Sequence, residues 1–305
     1  MHSDTVSLAE LTGITRTLAV PPWNSPLAAE LYGRTLNVVC RTRRGDTAGV
    51  WVCPLDDGED GPAARRAFRL LPYASPWIEP ALHPVDRHRC VASMVTAVME
   101  RVGSIDLPMA PRFEEVAALA EVGGETRCRH TRVLNLRDGG DVRAAYLPSV
   151  RNHVRAAARR HRVVGVAPSE FDFSRAVVGQ SEAAVAARRR SGLRLGRDHP
   201  TLCLSAIDRD AVCRGQVFVL RCEDAAVLMH SWFERGGARG VPSLLVDTAL
   251  EWAIGDPGAA FFDFEGSVIP SIDRFMTGFG ARGAVYPHLR WRGAGTEPAG
   301  AEEFG

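Results

Sequence analysis

The sequence contains no lysine: all 37 basic residues are arginine, set against 36 acidic ones for a net charge of +1. That absence excludes a Schiff-base lysine, a P-loop lysine and any catalytic side-chain ammonium. A phosphate or carboxylate clamp in this chain must be built from guanidinium, whose planar fork suits bidentate contacts. A GC-rich genome would produce the same bias, so the arginines alone name no partner. No apolar run approaches the roughly 20 residues that span a bilayer. The start, MHSDTVSLAELTG, lacks a basic segment followed by an apolar one. The expectation is a cytoplasmic protein with no membrane association.

Cysteine is present but without pattern. Cys40, Cys53, Cys90, Cys128, Cys203, Cys213 and Cys222 are odd in number and never spaced C-x-x-C. Neither a disulfide framework nor a zinc site is suggested, and each is read as a small buried hydrophobe. The histidines show no H-E-x-x-H spacing, so no metal site is expected. G-x-S-x-G, Walker A and Rossmann fingerprints are absent as well. The chain also lacks a clear Q/R-x-x-G-x-G/A pyrophosphate loop. The nearest string, RGGARGVP at 235–242, has glycines ahead of a helix in a different pattern. That weakens a conventional CoA reading.

What is there is an ordinary globular mix, 46% hydrophobic and 24% charged over 305 residues, long enough for two domains. Strands are expected at 36–40, 49–53, 109–112 and 132–136, with helices at 90–102 and 113–120. After the turn RDGGD at 137–141, helices are expected at 147–161, 176–190 and 241–254. Strands are expected at 163–166, 202–207, 216–221, 226–232 and 260–264. The boundaries that follow are 1–136 and 137–292, with a tail at 293–305 expected to be disordered. Antiparallel strands followed by a helix and another strand fit a mixed α/β sheet.

Three sets of residues could carry chemistry. The first is the end of AFFDFEGS, where polar groups emerge as an apolar strand leaves the core. Asp263 and Glu265, two apart, are expected on one face of that strand, placed to orient an amine or act as a base. The alternative is structural, with one carboxylate capping the next segment and the other pairing with Arg274. The second set is basic. Arg151, Arg155 and Arg159 at i, i+4 and i+8 share one helix face, and Arg188, Arg189, Arg190, Arg194 and Arg197 end the next helix and run into the expected loop SGLRLGRDHP. These ridges could follow a phosphate backbone or simply be solvated faces. The third set is Trp23, Tyr73 and Trp77 among prolines, either a surface for substrate or loop anchors against the core. His230 and Trp232, at the end of an apolar strand, join the substrate-binding candidates.

Taken in order, CRHTRVLNL, SVRNHVRAAARRHRVVGV, RRRSGL, ARGVPSLLVDTALEWA and FFDFEGSVIPSIDRFMTGFGA resemble the second half of the Fem family of aminoacyl-tRNA-dependent peptidyltransferases and related GNAT-fold acyltransferases. PWNSP and PYASPW are similar to the proline-aromatic loops of that family's first domain. The resemblance covers roughly 20–290 and is strong only after 128. It implies two tandem GNAT-like domains with a substrate channel between them. It implies transfer of an aminoacyl group from a charged tRNA to the amine of a peptide-like acceptor, free or carrier-bound. No cofactor is implied beyond aminoacyl-tRNA as co-substrate.

By position, Arg190 matches an arginine near substrate phosphates, and Phe275 matches an aromatic at the acceptor end of tRNA. Asp263 and Glu265 fall on the strand end bordering the channel. Where classical members carry lysine directly after the Phe275 equivalent, this chain has Met276, so Arg274 or a substrate group would have to replace that charge. Short and arginine-rich, the chain resembles enzymes of peptide or peptidyl-nucleoside antibiotic assembly, such as pacidamycin-type alanyl transfer, more than cell-wall members. Two other readings stay open: an acyl-CoA-dependent N-acyltransferase, and a non-enzymatic RNA-binding protein on a degenerate transferase fold.

Overall fold

The computed structural model describes residues 1–58, 61–66, 70–137, 141–176, 181–234, 239–265 and 269–293. The chain divides into two compact units, one of residues 1–129 and 286–305, the other of residues 130–285. The expected turn at 137–141 and the tail beyond Gly293 lie wholly or partly outside the described residues.

In the first unit, β1 (His2–Thr5), β2 (Thr35–Arg41), β3 (Thr47–Gly58) and β4 (Gly61–Arg65) form an antiparallel run. The short strand β5 (Trp77–Ile78) pairs with β3, and β6 (Ser104–Pro108) lies parallel to β4. A parallel neighbour needs a crossover, and the chain between β4 and β6 contains the helix Pro84–Met99. Cys90, Val91, Met94, Val95 and Val98 recur at helical spacing along that helix and are buried with Trp51, Ile105, Leu107 and Leu119. The strand expected at 109–112 is instead β6, five residues earlier. Pro108 and Pro111 cannot donate to a ladder, and Arg112 already turns at φ 70°.

Two long strands thread both units: β7 (Glu125–Asn135) leaves the first, and the strand Arg282–Arg292 returns to it and pairs antiparallel with β6. In the second unit the sheet order is β7, β12 (Phe261–Asp263), β11 (Ala225–Phe233), β10 (Cys213–Cys222), β9 (Thr201–Ile207) and β8 (Arg162–Gly165). All neighbours are antiparallel except β11 and β12, which run parallel. Between those two lies the helix Val241–Ile254, expected from sequence with these same ends. Leu245, Val246, Ala249, Leu250 and Ala253 form its buried stripe. Gly240 caps its start at φ 88°, and a Cβ there would sit 2.6 Å from the His153 carbonyl. Only glycine permits both that backbone turn and that closeness to the helix Pro148–Ala158.

The helix expected at 176–190 is observed as Glu182–Asp198, so SGLRLGRD is helical rather than loop. Its glycines are packing sites. A Cβ at Gly192 would lie 2.2 Å from the Phe173 ring, and one at Gly196 would lie 2.3 Å from Pro168. No helix among the described residues is long and apolar enough to cross a membrane.

Candidate active site around the C-terminal carboxylates

Strand β12 is short, and the reason lies in its last side chain. Asp263 is buried, 3% exposed, and its Oδ1 accepts from the Thr131 hydroxyl at 2.6 Å and from the Glu265 backbone N–H at 2.8 Å. By drawing in that N–H, Asp263 turns the chain, and Glu265 takes the left-handed conformation at φ 61°. The expected shared face therefore does not form, because the strand's alternation stops at Asp263. Asp263 caps the turn, and Glu265 is the carboxylate presented by it, half-buried with Oε1 shut off from solvent. A charged carboxylate survives such burial only when donors surround it. Asp263 meets that condition through Thr131 and the turn.

The helix Pro270–Thr277 follows, and here too the pairing differs from the structural alternative raised by the sequence. In this helix the carboxylate held by an arginine is Asp273, and the arginine is Arg132 rather than Arg274. Arg132 Nε and Nη2 reach the two Asp273 oxygens at 2.6 and 2.7 Å, a fork-to-fork pair that ties the helix to β7. Arg132 holds the Asp273 carboxyl below the usual carboxylate range. Arg274 is exposed. Phe275 is half-buried, edge-on to Phe279 with centroids 5.2 Å apart. Met276 is 6% exposed and belongs to the apolar cluster with Tyr146, Val150 and Phe279. A lysine in its place would point its ammonium into that cluster, so here the position serves packing.

A surface pocket of about 310 Å³ is lined by His130, Thr131, Arg132, Asp273 and Gly283, beside the Asp263 turn that Thr131 holds. A second, of about 360 Å³, runs along Val133 to Leu136, the 141–145 turn and 280–284. Sequence reading missed Thr131, Arg132 and Asp273. Their partners stand 132 and 141 residues away, and no local pattern encodes such a pairing.

The other expected residues are distributed elsewhere. Trp23, Tyr73 and Trp77 are 4%, 4% and 8% exposed in the first unit, with Trp23 edge-on to Tyr73 and Tyr73 edge-on to Tyr286. Asn24 bridges the Ser75 carbonyl and the Val52 N–H, so these loops are anchored on the core. His230 is buried against Phe171, Phe173 and Phe218. Trp232 donates to Gln216 at 2.8 Å and carries the Arg175 guanidinium 3.8 Å above its ring. Gln216 also binds Ser205, the Glu170 carbonyl and the Asp172 N–H. That set of bonds makes it the anchor of segment 170–172.

Among the arginines, Arg155, Arg159 and Arg190 are exposed. Arg151 instead bonds the Tyr146 carbonyl at 2.5 Å, and Arg194 pairs with Asp198 at 3.3 Å. Among the described residues, no group of three or more His, Cys, Asp or Glu is disposed to hold a metal ion.

No family model matches the sequence, and no curated protein matches it. Solved structures do match in fold. FemX aligns over 94% of this chain and 97% of its own, with a TM-score of 0.66 at 10% identity. A tandem GNAT protein from the clavulanic acid biosynthesis pathway aligns over 97% and 99%, with a TM-score of 0.56 at 14% identity. L-PGS from Bacillus licheniformis aligns over 94% and 91%, with a TM-score of 0.58 at 8% identity. At these identities the likeness concerns the fold, and the fold is a mixed α/β one of the Fem and tandem GNAT-like type.

Proposed function

We propose that this protein is a tRNA-dependent aminoacyltransferase acting on the amine of a peptide-like acceptor, in natural-product rather than cell-wall assembly. The observation that carries the reading is the turn after β12, where a buried Asp263, with two donors on its Oδ1, turns the chain at Glu265. In ester aminolysis the acceptor nitrogen attacks the aminoacyl carbonyl carbon. The N–C bond forms, the bond from that carbon to the ribose oxygen breaks, and the amine proton must travel to that oxygen. Glu265 is the group placed to orient the amine and carry the proton. Arg274, exposed one turn from the end of its helix, is the cation available to the developing oxyanion in a chain without lysine.

Exposed Arg155, Arg159 and Arg190 supply contacts to the phosphates of the acceptor stem, and Phe275 supplies an aromatic face for its terminal base. The Fem-like fold and the sequence resemblance support this assignment. The test is to incubate the protein with charged tRNA and candidate acceptors. Amide formation that disappears on ribonuclease treatment is the expected result, and transfer that survives ribonuclease overturns it.

A second reading, an acyl-CoA-dependent N-acyltransferase, is favoured by the likeness to the tandem GNAT protein. Thermal stabilisation by acetyl-CoA and not by tRNA would select it, since only a ligand of the native state raises the melting temperature.

A further inference from the structure

The pocket formed by Thr131, Arg132, Asp273 and Gly283 has one unused donor group. Asp273 engages Nε and Nη2 of Arg132, and among the described residues Nη1 has no acceptor. Nη1 faces Gly283, whose absent Cβ would lie 3.5 Å away, the nearest atom to that position among the described residues outside Gly283's own chain neighbours. The missing side chain is what keeps this nitrogen open to the pocket. His130 adds a second nitrogen donor at the rim, exposed to solvent.

We infer that this pocket binds a carboxylate on the small-molecule acceptor, held by Arg132 Nη1. The Asp273 pair fixes the guanidinium plane in advance, so the remaining N–H groups are aimed without further loss of side-chain freedom. An isolated cation would accept many anions. An arginine already carrying one carboxylate favours a small singly charged group over a phosphate, which would bring more negative charge against Asp273. Thr131 is shared by this pocket and the Asp263 turn. A carboxylate seated here therefore brings the rest of the acceptor toward Glu265. The identity of the ligand as the acceptor rests on the aminoacyl-transfer reading; the binding of a carboxylate does not.

The test is ligand binding by calorimetry or ligand-observed NMR on the full chain without tRNA, using alanylalanine and its C-terminal amide as probes. The free acid is expected to bind at least ten-fold more tightly than the amide, the usual scale for a charge-assisted contact. Gly283→Val fills the space before Nη1 while leaving the Arg132–Asp273 pair intact, and a β-branched residue suits that strand. It should abolish the difference between the probes at an unchanged melting temperature. Arg132→Met should do the same, but it strands Asp273, so Gly283→Val is the deciding variant. Equal binding of acid and amide, binding of neither, or a Gly283→Val protein that still discriminates overturns the inference. Because no tRNA is present, this result is independent of whether tRNA-dependent transfer is found.

Discussion

Thr131 is the residue on which the carboxylate turn hangs. It is 2% exposed, and its hydroxyl supplies one of the two donors seen on Asp263 Oδ1. Thr131→Val keeps the shape and removes the donor from a buried carboxylate, a change that costs about 1–3 kcal/mol. Urea denaturation should show that loss, while Thr131→Ser should recover most of it. If Glu265 works as proposed, the valine variant should also lower kcat more than it raises KM, because the group it misplaces acts on the reacting amine. Met276 gives a second prediction at this scale. Met276→Lys should destabilise the fold by roughly 2–4 kcal/mol by placing an ammonium in an apolar cluster. A variant as stable as the parent would mean that the side chain reaches solvent and that the position can serve catalysis after all.

At the scale of elements, two contacts decide where helices sit. The first is Gly240, whose left-handed φ and approach to the His153 carbonyl seat the helix Val241–Ile254 against the helix Pro148–Ala158. Gly240→Ala should lower the melting temperature markedly, since the new methyl meets both backbone strain and a fixed carbonyl. The second is the Arg132–Asp273 pair, which holds the helix Pro270–Thr277 to β7. Asp273 has its carboxyl depressed in the folded protein, chiefly by the hydrogen bond from Arg132. The sign is that of a depressed acid. The docking contribution is fully present above the carboxyl's unfolded value, near pH 4, and is lost as pH falls through the lower folded value. Amide protection in this helix, followed by hydrogen exchange, should therefore hold from neutrality to about pH 4 and weaken below it. Asp273→Asn should show no such acid step.

At the scale of the molecule, the first unit is discontinuous in sequence. Residues 288–292 pair with β6, and Leu289 is fully buried with Leu107, Met109 and Leu119. A chain stopped after Val285 leaves that cluster open and β6 without its antiparallel partner. It should lose protease resistance in residues 1–129, although nothing within that stretch has been altered.

This is also where sequence and tertiary structure divide the credit. The apolar periods of 36–40, 202–207, 226–232 and 241–254 were enough to assign strands and a helix, because burial on one face imposes a period that one-dimensional reading can see. The C-terminal segment was equally legible as the place where carboxylates leave an apolar strand. What composition and spacing could not supply was the difference between the two acids. Asp263 became a capping group, and Glu265 the presented one, because a threonine 132 residues earlier lies within 2.6 Å of one oxygen. The helical course of SGLRLGRD was likewise hidden, since its glycines read as loop until Phe173 and Pro168 are seen resting on them. Local pattern determines which residues are buried and with what period; which buried polar groups meet is decided only when distant strands come together.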